Sequence, residues 1–294
     1  MKNILLILFV LFIITGNAQT ITVVNSQTNE PIPFASVYLV AGNLVIDGLS
    51  CNENGAAILP KREFDTLKIS CIGYEDLILN KNQTGSFIFY LKQKDFKLNE
   101  IIIENKKTAI LAYKGRKGRD LGILKDEGSI LFFRNPYKKP VLLKSFSMKL
   151  KKAIVKNTVR ILVYKVQDTI KHYKPGESLL HEDVLFTIEP NESGIKYVDL
   201  AEQDVYLPAE GAYIGIEVID SRDINGNYSY DKNHMNEFET VEYISRFHLI
   251  NRKFTSRGWV NAQHEWERSA GPPKKWGNRK LFVLPAWSIE VYTN

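Results

Sequence analysis

The sequence predicts an all-β protein built from two consecutive antiparallel β-sandwiches. Short runs rich in Val, Ile, Leu and aromatic residues recur along the chain, and clusters of Asn, Gly, Pro and Asp separate them. Residues 66–72 alternate, with Leu67, Ile69 and Cys71 on one face and Lys68, Ser70 and Ile72 on the other, which is the signature of a half-buried strand. Amphipathic helical stretches are missing between the runs, so the pattern favours antiparallel sheets over βαβ units. The chain has 294 residues, 44% hydrophobic and 24% charged, with 39 Lys+Arg against 33 Asp+Glu and a net charge of +6. This balance excludes disorder, collagen and coiled coil as the main state, and the length suits two domains with a core each.

The elements follow in order. Lys2 supplies a positive start, residues 4–14 form an unbroken apolar run, and Gly16-Asn17-Ala18 sets small residues where a signal peptidase cuts. Residues 1–18 therefore read as a secretory signal, and the apolar run is short of the ~20 residues that span a bilayer. No later apolar stretch reaches that length, so the expectation for the rest of the chain is no transmembrane segment. Export places Cys51 and Cys71 where a disulfide persists; a bridge between them is one reading, and two buried thiols acting as small hydrophobes are the other.

Residues 21–25, 36–40, 45–50, 55–59, 66–72, 77–79 and 87–91 are the strand candidates of the first half. Turn signals fall at Asn29-Glu30-Pro31, Gly42-Asn43, Asn52–Gly55 and Asn80–Gly85. Phe34 and Val37 read as core, Gly55 as a turn residue with positive φ, and Tyr74 as a ring that buries itself and satisfies its hydroxyl. The stretches TVVNSQTNEPIPFASVYL (22–39), CNENGAAIL (51–59), DTLKISCIGYE (65–75) and LNEIII (98–103) resemble, in order and spacing, the carboxypeptidase-regulatory-like domain of exported Bacteroidetes proteins. The resemblance covers residues 19–104 and implies a transthyretin-like, seven-stranded β-sandwich without catalytic residues of its own. The chain departs from that pattern at Cys51-Asn52 and at Ala56-Ala57, which puts the local turn in question.

Residues 105–121, with the dense run Lys114–Arg119, read as a basic linker, or alternatively as a patch facing an anionic membrane surface. Nucleic acid is a poor partner for an exported chain, and no recognition motif accompanies the basic residues. From residue 122 to 294 the strand pattern resumes at 130–133, 142–150, 159–166, 184–188, 195–198, 212–219, 243–250 and 280–292, with Pro285 breaking the last. The number of strands and their turn-rich joins suggest a jelly-roll-like sandwich.

Catalytic motifs are not evident, and no catalytic residue is assigned; His264-Glu265 lacks the second His of a zincin helix. Asp220, Asp223, Asn225, Asn227 and Asp231 offer hard oxygen ligands for calcium, although their spacing is not that of an EF-hand, and a polar surface loop is the competing reading. Trp259, Trp266 and Trp276, with Tyr228 and Tyr230, form an aromatic group able to stack on sugar rings, or else to cover the ends of a sandwich. Trp287 reads as core. The leading expectation is a non-catalytic exported module of the cell envelope, in the periplasm or at the outer membrane, that binds a protein partner and needs no cofactor. Glycan binding through the aromatic loops is the alternative, and a hydrolase with an unrecognised site is the third.

Overall fold

The structure is a computed structural model that describes residues 19–42, 44–84, 87–95, 107–167, 175–229, 236–243, 249–253, 263–268, 274–276 and 279–293. Among these residues every element is a strand apart from two short 3-10 turns, so the all-β expectation is met. No helix among them is long and apolar enough to cross a membrane. Residues 1–18, read as a secretory signal, and the stretch 98–103 lie outside the described residues.

The first unit contains β1 (Thr20–Asn25), β2 (Ser36–Ala41), β3 (Leu44–Ser50), β4 (Ala56–Ile58), β5 (Thr66–Ser70), β6 (Leu77–Asn80) and β7 (Ile88–Leu91). They form a three-stranded sheet, β4-β1-β7, and a four-stranded sheet, β3-β2-β5-β6. Alternation explains the packing. Ile21 and Val23 of β1, Val37 and Leu39 of β2, Leu67 and Ile69 of β5, and Phe89 and Leu91 of β7 all turn into one core. Each such side chain contributes about 1.5–3 kcal/mol by leaving water. Gly55 has φ +68°, and a β-carbon there would stand 2.6 Å from the carbonyl oxygen of Val23. Asn52 closes the same turn, its Oδ1 accepting from the amides of Asn54 and Ala56, so the departure at this position keeps a capping side chain. The hydroxyl of Tyr74 accepts from Asn25 Nδ2 at 3.4 Å. Phe34 corrects the sequence reading. It takes φ +58°, which swings its ring off the core face, and Ile32 and Ala35 fill the interior in its place.

The second unit runs through β8 (Lys107–Ala112), β9 (Arg116–Lys117), β10 (Leu121–Ile123), β11 (Glu127–Phe133), β12 (Val141–Lys152), β13 (Lys156–Val166), β14 (Pro175–Ser178), β15 (Leu185–Ile188), β16 (Gly194–Asp199), β17 (Tyr206–Leu207), β18 (Ala212–Arg222), β19 (Asn236–Phe238), β20 (Thr240–Tyr243), β21 (Leu249–Lys253), β22 (Gln263–Arg268), β23 (Lys274–Trp276), β24 (Arg279–Pro285) and β25 (Trp287–Thr293). One sheet has the order β10-β19-β12-β25-β8, with β16 and β17 also on β12. A second has the order β14-β13-β18-β11-β21-β22, with β15 also on β13. A small sheet has the order β23-β24-β20-β9. Phe146 and Trp287 meet edge to face at 5.6 Å in the core between the two large sheets, as expected for Trp287.

One boundary moves. Residues 107–112, read as linker, are an edge strand paired along β25 from Ala112↔Ser288 to Lys107↔Thr293, and Arg116 and Lys117 pair with β20. The second unit thus begins at Lys107, because Ala109 and Leu111 alternate inward onto its core despite the basic surroundings. Pro285 behaves as expected. β24 ends on it, Ala286 donates its amide to Glu239 O at 2.8 Å, and β25 resumes at Trp287. Glu239 likewise separates β19 from β20. The small sheet is therefore a bent continuation of the large one, with the paired bend at Ala286 and Glu239.

Candidate functional site

The two units meet along a seam, and a buried arginine organises it. Arg160 lies on β13 directly opposite Glu217 of β18, so the register itself makes the pair. Its Nη1 donates to Glu217 Oε2 at 3.1 Å, and its Nη2 to Asp183 Oδ2 at 2.9 Å. The same Nη2 crosses to the first unit and donates to the carbonyl of Phe34 at 2.6 Å. Val159, Ile161 and Val163 face the core, so the intervening Arg160 must point to the opposite face of the sheet, against the first unit. Burial opposes its charge, but the carboxylates of Asp183 and Glu217 outweigh burial and hold the guanidinium protonated. Burial also pushes the Asp183 carboxyl above the ordinary carboxylate range, against the pull of Arg160.

The thiols of Cys51 and Cys71 sit at this seam. Both are unbonded, which removes the disulfide from the two sequence readings. Ser50 and Ser70 pair with Ser36 from opposite sides. Cys51 and Cys71 therefore stand two strand spacings apart, about 10 Å, whereas a bridge needs Cα atoms within ~7 Å. Burial pushes both thiols up to about 12. The charge of Asp183, whose Oδ2 is 3.8 Å from Cys71 Sγ, adds to the effect at Cys71. Such thiols are poor nucleophiles. Next to them Ile72 packs on the second core, and Gly73, at φ +86°, comes so close that a β-carbon would lie 2.4 Å from His181 O.

Beside this seam opens a cleft of about 400 Å³. Its first wall is Phe34, the end of β3 with Cys51–Glu53, and β4; its second is Lys125, Asp126, the end of β18 and Tyr228. Lys125 Nζ holds Asp126 Oδ1 at 2.9 Å, and Arg222 Nε holds Asp220 Oδ2 at 2.8 Å. Arg222 lies over the Tyr228 ring at 4.8 Å from its centroid, with Lys125 Nζ at 5.8 Å. Tyr228 remains half-exposed, and the buried hydroxyl of Ser50 has no hydrogen-bond partner among the described residues.

The sequence candidates separate here. Tyr228 is at the cleft. Trp266 and Trp276 lie on β22 and β23, and the first of these strands lies against β3, but their side chains, with Trp259, Tyr230 and Asp231, fall outside the described residues. Of the calcium set, Asp220, Asp223, Asn225 and Asn227 are described and Asp231 is not. Asp220 is engaged by Arg222, and Asp223 Oδ1 accepts from the amides of Asn225 and Asn227 at 2.8 and 2.9 Å, closing the loop on itself. Among the described residues no three His, Cys, Asp or Glu side chains form a metal-binding group. Sequence reasoning missed Arg160, Asp183 and Glu217, whose partners only the fold brings together, and it missed Lys125 and Arg222 although their carboxylate partners lie one and two positions away. Compared with protein-family models, curated proteins and solved structures, the chain matches none.

Proposed function

We propose that this chain is a non-catalytic, exported binding or assembly module of the cell envelope that engages a protein partner. The first unit is read as a carboxypeptidase-regulatory-like sandwich and the second as jelly-roll-like. The observation that supports this most is an apolar band on the outer face of the three-stranded sheet. Ile58 stands opposite Thr20, Ile88 opposite Thr22, and Tyr90 opposite Val24, so their side chains share one face. Ile58, Ile88 and Tyr90 are exposed there, with Phe87 exposed beside them. Contiguous exposed apolar rows of this kind mark interaction surfaces.

Capture from intact envelopes with a photo-crosslinker at the sheet face tests the reading. Wild type should retain one dominant partner, and the Ile88→Asp/Tyr90→Asp double variant should lose it. Capture of the same partner by the variant would remove the sheet face as the docking surface. Mass spectrometry of the secreted chain should find Gln19 at its start; a retained Met1 would count against export.

A further inference from the structure

We propose that the cleft between the two units binds a short, uncharged oligosaccharide. The proposal does not rest on the protein-partner reading, although Ile58 lines this cleft and also stands in the apolar band of the outer sheet face. Three observations carry it. First, each cation in the described walls is held by a carboxylate, Lys125 by Asp126 and Arg222 by Asp220, and the further charge in the lining is the exposed Glu53. An anionic ligand would have to break a pair to be compensated and would also meet Glu53, whereas a polyhydroxylated neutral ligand can share hydrogen bonds with paired ions and leave them paired. Second, Tyr228 is a half-exposed ring that Arg222 holds in place, and such a ring stacks on the C–H face of a pyranose. Third, the buried Ser50 hydroxyl on the opposite wall lacks a partner among the described residues, and a ligand hydroxyl would satisfy it. The volume of about 400 Å³ lies within the range of small-molecule sites and suits a short sugar rather than a protein segment.

Calorimetric titration of the chain from Gln19 onward, with cellobiose, maltose and N,N′-diacetylchitobiose as neutral probes and digalacturonate and chitobiosamine as charged ones, tests the proposal. At least one neutral disaccharide should bind. Tyr228→Ala should weaken it about tenfold or more, while Tyr197→Ala, at an exposed tyrosine remote from the cleft lining, should bind as wild type. Ala56→Leu, which fills the cleft from β4 without disturbing the ring, should also abolish binding and guards against a folding defect in the tyrosine variant. The proposal is overturned if no neutral disaccharide binds up to about 10 mM, if a charged probe binds more tightly, or if both cleft variants bind as wild type. Partner capture is read separately, at Ile88 and Tyr90, which do not line the cleft.

Discussion

Two thiols and one glycine carry the seam at the level of single residues. Cys51 and Cys71 have folded pKa values of about 12 against an ordinary 9.0. A group raised on folding stabilises fully below its unfolded value and loses that contribution as pH rises through the folded one. The window is therefore pH ~9 to ~12, and the gap is worth at most about 4 kcal/mol per thiol. Thermal midpoints measured across that window should fall more steeply in wild type than in Cys51→Ala/Cys71→Ala; equal slopes would mean the thiols are not held neutral. At Gly73 the positive φ and the His181 carbonyl leave no room for a methyl group. Gly73→Ala should destabilise the protein by about 1–3 kcal/mol, read from the denaturation midpoint, and an unchanged midpoint would mean the two units do not approach there.

Among the elements, β8 is the instructive case. Seven strands of the first unit were legible nearly to the residue, because alternation and turn residues agree along 21–91. β8 was not: its composition, between Lys106-Lys107 and Lys114–Arg119, reads as a solvated charge run. Only the inward alternation of Ala109 and Leu111 betrays a strand, and its partner β25 lies at the far end of the described chain. Leu111→Asp should thus destabilise the second unit by about 1–3 kcal/mol, since it sets a charge in place of a half-buried apolar side chain packed on the core. A true linker would tolerate the change, so an unaltered urea midpoint would restore the linker reading. The site was legible in part: Tyr228 stood out as an aromatic beside a polar loop, and Asp220 and Cys51, named for other roles, line the same cleft. Arg160 was hidden inside VRILVYKV, with Asp183 and Glu217 lying 23 and 57 positions away. Cross-strand register, which local pattern does not encode, creates that cluster.

For the whole molecule, Arg160 joins two separate cores. Its removal leaves two buried carboxylates facing each other and cuts the bond to Phe34 O. Arg160→Ala should cost about 3–5 kcal/mol. Calorimetry should show one unfolding transition in wild type and two in the variant, since the cores would then melt apart. A single transition at the wild-type midpoint would show that apolar contacts such as Ile72 alone couple the units.

The parallel pairing of β1 with β7 has a mechanical meaning. Every other strand ladder among the described residues is antiparallel, but Thr22–Asn25 run alongside Ile88–Leu91 in the same direction. Tension applied to the chain before β1 and after β7 pulls these strands past each other lengthwise. The hydrogen bonds then share the load and must break together, whereas a hairpin pulled from its ends opens one bond at a time. The first unit is consequently built as a shear clamp, suited to a chain held at one end while a partner draws on the other.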